Sequence, residues 1–136
     1  MEYKNKVVWD KKKEGITEWV GKARLRTGAP PEFQGSKDVV SPEEFFVASI
    51  NICIMTTFLY FSKKLDIGLV SYKSESSGKV EKDEKGYRFT NIIIKPIIVA
   101  KNTEKAMKAL KLAEKYCLIS RSVNVNIEVK PEIKGG

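Results

Sequence analysis

The chain has 136 residues, two cysteines and no histidine, and its 25 Lys+Arg against 17 Asp+Glu leave a net charge of +8. Without histidine there is no Ser-His-Asp triad, no Cys-His pair and no His-ligated metal. Any acid–base or nucleophilic chemistry falls to Cys, Glu, Asp, Lys, Arg or Tyr. The length suits one domain over residues 1–136, with enough chain to bury a core without disulfide staples.

Residues 3–10 and 16–27 read as the two strands of an opening hairpin, turned by the polar stretch 11–15. Residues 28–40, with Pro30, Pro31 and Gly35, read as a loop. Ser41-Pro42-Glu43-Glu44 then opens a helix. Ser41 suits the N-cap, Pro42 the first helical position, and the two glutamates the positive end of the dipole. The helix is expected to run to about Asp66. Its stretch Phe45 to Ser62 is 18 residues without a charge, near the length of a membrane span. Ser49, Asn51, Thr56 and Thr57 interrupt it and charges flank it, so it reads as a fully buried central helix, with no membrane partner.

Residues 67–75, 78–83 and 87–100 read as a three-stranded meander, with Pro96 implying an edge strand or a bulge. Asn102 or Thr103 caps a second helix, on which Met107, Leu110, Ala113 and Cys117 form one stripe and lysines face out. Residues 122–130 alternate as a last strand, and 131–136 form a tail. The expected class is α+β, with antiparallel sheets packed around two helices in the order ββ-α-βββ-α-β.

The N-terminus lacks the apolar core of a secretory signal, so a cytoplasmic location is expected. A reducing compartment would keep both thiols available. The 21 lysines and 4 arginines are scattered along the chain. Lysine spread of this kind reads as a solvated surface rather than a nucleic-acid-reading face, and no nucleic-acid partner is expected.

Cys53 falls inside the first helix and Cys117 at the end of the second, both on inward faces. A buried free cysteine usually only packs. Two packed helices could also bring the pair together, which a disulfide requires.

The segments Phe33-Gln34-Gly35-Ser36 and Ser41-Pro42-Glu43-Glu44 through Cys53 resemble the first-helix signature of the OsmC/Ohr family, osmotically inducible and organic hydroperoxide resistance proteins. Its cysteine stands ten residues after a glutamate, as Cys53 does after Glu43. Ala113-Glu114-Lys115-Tyr116-Cys117-Leu118-Ile119-Ser120 resembles the family's second-cysteine segment, with Leu118 where proline is usual. The resemblance implies an OsmC-like fold and a homodimer. It also implies a thiol peroxidase that reduces organic hydroperoxides, with Cys53 as nucleophile and Cys117 as resolving thiol. An external dithiol, in the family usually a lipoyl group, would reset it, and no cofactor or metal is implied. An arginine would lower the Cys53 pKa, and Glu43 would orient it. Glu32 stands where OsmC-type members carry that arginine. In the N-terminal strands, where Ohr-type members carry it, Arg24 and Arg26 are the candidates.

Ten helical residues rise about 15 Å, so Glu43 cannot touch Cys53 of its own helix. It would have to act through a long arginine or from a second subunit. Phe45, Phe46 and Phe58 would favour organic peroxides. The competing readings are a non-catalytic binding protein of the same fold with packed cysteines and, further off, a basic nucleic-acid-binding module.

Overall fold

The computed structural model describes residues 1–136. In chain order the elements are β1 (Lys6–Lys11), β2 (Glu14–Glu18), β3 (Arg24–Gly28), a 3-10 turn (Pro31–Phe33), α1 (Pro42–Leu65), β4 (Leu69–Asp83), β5 (Gly86–Ala100), α2 (Thr103–Tyr116), α3 (Leu118–Arg121), β6 (Asn126–Val129) and β7 (Glu132–Gly135). The class is α+β, as expected. The order βββ-α-ββ-α-α-ββ differs from the expected one at four places: a third strand before α1, two strands instead of three after it, the short α3 and a strand in the tail. Residues 1–46 and 47–136 form two compact units.

In the first unit β1, β2 and β3 form an antiparallel sheet in that order. The long second strand expected over residues 16–27 is broken in two. Gly21 takes φ +71°, and the Lys22 N–H donates to Trp19 O at 3.0 Å, closing a turn there. A left-handed residue ends the pleat, so a continuous strand over residues 16–27 does not form.

The start of α1 is fixed by a reciprocal capping box. The Glu44 N–H donates to Ser41 Oγ at 3.2 Å, and the Ser41 N–H and hydroxyl donate to Glu44 Oε1 at 3.1 and 2.9 Å. At the other end Asp66 turns left-handed, and the Ile67 N–H returns to Ser62 O.

The second unit is a sheet with β5 at its centre. Strands β4 and β5 are one long antiparallel hairpin of two 15-residue strands, not two arms of a three-stranded meander. The gap expected at residues 76–77 is absent, and β4 runs on through Gly78, where a Cβ would come within 2.7 to 2.9 Å of Phe89, Val47 and Ile92. The strand needs a residue without a side chain where these three close in. The tail forms β7, so both β6 and β7 run parallel to β5. Pro96 therefore lies in a central strand. It is accommodated because β6 pairs with residues 91–94 of β5 and β7 with 97–100. The missing proline N–H falls in the gap between the two short strands.

On β5 the inward positions Ile92, Ile94, Pro96, Ile98 and Ala100 are fully buried, and α2 packs against β5 and β7 through Ala106, Ala109, Leu110 and Ala113. Each fully buried isoleucine contributes about 1.5–3 kcal/mol. Along α1 the buried residues are Ile50, Ile54, Phe58 and Ser62, one stripe at i, i+4 spacing. Phe58 meets Tyr72 of β4 at a ring-centroid distance of 5.3 Å, and Ser74 of β4 donates to Asn51 Oδ1 at 2.6 Å. The expected fully buried helix is thus corrected: Ile52 and Tyr60 on its other side are 55% and 60% exposed. By length and composition alone α1 could cross a membrane.

Candidate functional site

Cys53 is in the middle of α1 and is half-buried; Cys117 terminates α2 and is fully buried. Both are free thiols in the second unit, and they interact with each other. Neighbouring rings mark the same helix–helix contact, with Phe61 of α1 5.7 Å from Tyr116 of α2. Cys117 leaves the helix with φ −60° and ψ 114°, which redirects the chain into α3 and turns residues 118–120 back toward the thiols.

The surroundings push the two thiols apart in acidity. Burial acts to raise the Cys53 pKa. It is outweighed by the Ile119 backbone N–H, the Cys117 thiol, the Thr57 hydroxyl and the Leu118 backbone N–H, so Cys53 falls below the ordinary thiol value. For Cys117 burial prevails. The Ser120 hydroxyl and N–H offset it only in part, and the Cys53 sulfur adds to it, so Cys117 is raised. The more acidic thiol thus lies on α1 and the less acidic one on α2, in mutual interaction. Such a pair can act as nucleophile and resolving partner.

Thr57 was not singled out from the sequence, although it lies one helical turn beyond Cys53. Its hydroxyl donates to Cys53 O at 2.7 Å and lies 3.9 Å from the Cys53 sulfur. The i, i+4 spacing carried that signal. The amides of Leu118 and Ile119 had none, because they depend on how the chain turns after Cys117.

Glu43, Arg24 and Arg26 lie in the first unit. Glu44, not Glu43, is committed to the helix cap. Glu43 Oε1 is buried with no hydrogen-bond partner, and the residue borders a cavity of about 580 Å³ together with Trp9, Lys13, Phe33 and Pro42. Both arginines of β3 are engaged by carboxylates of their own sheet. Arg24 Nε is 3.1 Å from Glu18, and one Arg26 nitrogen is 2.8 Å from Asp10 and 3.2 Å from Glu14. The hydrogen bonds that Arg26 donates to Asp10 and then Glu14 hold it more firmly protonated. No group of three or more His, Cys, Asp or Glu side chains is arranged to hold a metal ion.

An α+β chain with a paired, differentiated dithiol at a helix–helix contact defines the class. Residues 35–132 match the family model of OsmC-like proteins, and the chain belongs to that family. In sequence it is 26% identical over 109 residues to the protein YmaD of Bacillus subtilis (strain 168), covering 76% of this chain and 73% of that one. An OsmC-like protein of Vibrio cholerae superposes with a TM-score of 0.87 at 24% identity, covering 96% of this chain and 99% of the other. An organic hydroperoxide resistance protein OsmC from Legionella pneumophila superposes at 0.79 with 20% identity, covering 98% and 97%. At these identities the two structural likenesses speak for the fold.

Proposed function

We propose that the protein is a thiol-dependent peroxidase that reduces organic hydroperoxides. The observation that carries this reading is the opposite displacement of the two thiols, Cys53 toward thiolate and Cys117 toward neutral thiol. The Cys53 thiolate attacks the distal oxygen of ROOH, the O–O bond breaks, and the alkoxide leaves as alcohol after taking a proton. Cys53 is then a sulfenic acid. Cys117 attacks that sulfur, a disulfide forms and water leaves. An external dithiol, such as a lipoyl group, exchanges with the disulfide and returns both thiols, ending as a disulfide itself.

Glu43 is assigned the task of orienting a cation, and its unpartnered buried oxygen supports that role. The cation is Arg24 or Arg26, by analogy with the family. The partner is a second copy of this chain, since α1 leaves Ile52, Leu59 and Tyr60 uncovered. The reaction would take place in the cytoplasm.

Peroxide loss with tert-butyl hydroperoxide and dithiothreitol tests the reading. Cys53→Ser should abolish turnover, and Cys117→Ser should stop disulfide formation. Unchanged consumption in Cys53→Ser overturns it. Among Arg24→Ala and Arg26→Ala, the one that removes the activating cation should lower kcat/KM by roughly tenfold or more. Prior engagement of both arginines by Glu18, Asp10 and Glu14 favours the second reading, a non-catalytic binding protein. That reading requires both arginine variants and Cys53→Ser to be silent.

A further inference from the structure

Two adjacent threonines, Thr56 and Thr57, stand in the uncharged middle of α1. Side chains branched at Cβ cost helix stability, and a hydroxyl bonded back to the preceding turn bends a helix slightly. Here both hydroxyls are spent on one carbonyl. Cys53 O accepts from Thr57 Oγ1 at 2.7 Å and from Thr56 Oγ1 at 3.2 Å, besides the Thr57 N–H of the helical ladder. A carbonyl has two lone pairs, so three donors are one more than it needs. Position distinguishes the two hydroxyls. Thr56 is exposed, whereas Thr57 is half-buried on the line Cys53, Thr57, Phe61, whose last member meets Tyr116 of α2 at 5.7 Å. Thr57 Oγ1 also lies 3.9 Å from the Cys53 sulfur, and either atom of that contact can be the donor.

We propose that the Thr57 hydroxyl is a proton switch for Cys53. In the neutral thiol, the S–H donates to Thr57 Oγ1 while the hydroxyl donates to Cys53 O. When the thiol loses its proton to solvent, the hydroxyl turns about its C–O bond and donates to the sulfur. Only the S–H bond breaks. The Cys53 carbonyl keeps the Thr57 N–H and the Thr56 hydroxyl, so the turn leaves no acceptor unpaired. The 3.9 Å separation belongs to the neutral pair, and charge on sulfur draws the donor in. A hydroxyl is both donor and acceptor, so it serves either protonation state. The direction of the Cys53 pKa agrees with this arrangement. From α2 the titratable group acting on Cys53 is Cys117, while the half-buried Glu114 answers to its own burial and to Lys111. From α3, backbone groups of Leu118 and Ile119 act on it, and Arg121 is exposed. The switch adds a group at the nucleophile of the peroxidase reading and rests on that reading only for its use in turnover.

Alkylation of Cys53 by iodoacetamide across pH, with mass mapping to separate it from Cys117, tests the switch without peroxide. Thr57→Val keeps the branched shape and deletes the hydroxyl, whereas Thr57→Ser keeps the hydroxyl. The pH midpoint should rise by roughly 0.5–1 in Thr57→Val, so that on its acid side alkylation is about three- to tenfold slower, and should stay with wild type in Thr57→Ser. Thr56→Val is the control. It removes a hydroxyl from the same carbonyl and none from the sulfur, and its midpoint should stay with wild type. Equal midpoints in Thr57→Val and wild type overturn the proposal. An equal rise in Thr56→Val also overturns it, because the effect would then come through the helix. Should Thr57→Val fail to fold, Thr57→Ala deletes the same hydroxyl and is read against Thr57→Ser. A protein that fails to consume hydroperoxide but shows the Thr57→Val rise loses the peroxidase reading and keeps the switch. One that consumes hydroperoxide with coincident midpoints loses the switch alone.

Discussion

Cys53 and Cys117 interact and are displaced in opposite directions, Cys53 below and Cys117 above the ordinary thiol value, so the more acidic of the two cysteines is paired with the less acidic one. The same contact that stabilises the thiolate presents the thiol that would later form the disulfide. On the proposed peroxidase reading, activation and resolution are linked through that one contact.

That link is testable without turnover. Cys117→Ala removes the donor, and Cys117→Ser replaces it with a hydroxyl. The pH midpoint of Cys53 alkylation should rise in the alanine variant and stay close to wild type in the serine variant. Equal midpoints in the two variants would mean that the Cys117 proton contributes nothing. The sign for stability runs the same way: a depressed Cys53 pKa adds stability above the ordinary thiol range. That contribution fades as pH falls through the lowered value.

Tyr72 gives the opposite sign. Its hydroxyl is buried without a hydrogen-bond partner, and the nearby Ser74 hydroxyl donates to Asn51 Oδ1 at 2.6 Å. Burial raises the Tyr72 pKa above the usual 10.0, with Ser74 offsetting it in part. The neutral phenol is favoured in the fold. Stability is fully present below pH 10 and falls as pH rises through the raised value. Tyr72→Phe should therefore leave stability unchanged or raise it by about 1 kcal/mol at neutral pH, and should remove the alkaline loss. Thermal unfolding from pH 7 to 11 reads both. A clear drop in Tm at pH 7 would show that the hydroxyl is satisfied.

Much of this was legible in the sequence, and the rest was hidden for physical reasons. The Ser41 cap and the α1 helix follow from local chemistry, as does the Asn102 cap, which accepts from the Lys105 N–H at 3.0 Å. Cys53 and Cys117 were legible as a pair through two motifs. Their relative acidity was not, since it depends on amides aimed by a turn. The broken second strand depended on Gly21 adopting φ +71°, which one glycine does not announce. Gly78 was the reverse case. It opened an expected strand after a gap at 76–77, whereas β4 is continuous there and tertiary crowding by Phe89, Val47 and Ile92 explains the glycine. Pro96 read as an edge signal, and only the β6–β7 gap shows why a central strand tolerates it. The exposed side of α1 could not be seen in a helix apolar nearly all round.

Gly78 makes that crowding measurable. A methyl group at this position would meet three side chains at 2.7 to 2.9 Å, and overpacking of this kind costs about 1–3 kcal/mol. Gly78→Ala should lower stability by that amount in urea unfolding. Gly86, with φ +126° and open space around its Cβ position, separates the two causes. Gly86→Ala loses stability through backbone strain alone, so shrinking Phe89 should restore part of the loss in Gly78→Ala and none in Gly86→Ala. A Gly78→Ala variant as stable as wild type would mean that the neighbours yield freely.

The uncovered side of α1 leads to a prediction about assembly. Ile50, Ile54 and Phe58 are buried within the chain, whereas Ile52, Leu59 and Tyr60 are 55%, 39% and 60% exposed. Apolar helix surface of this extent calls for cover, and burying one such isoleucine is worth about 1.5–3 kcal/mol. Sedimentation at micromolar concentration should give twice the chain mass of 15.4 kDa. Ile52→Lys places a charge in the stripe and should return the mass to a single chain, while thermal unfolding still shows a folded protein. Because α1 is also long and apolar enough to cross a membrane, flotation with neutral phosphatidylcholine vesicles is the matching control. A soluble dimer that does not float supports the second copy as the cover. Monomeric wild-type protein, or protein that floats through α1, overturns it.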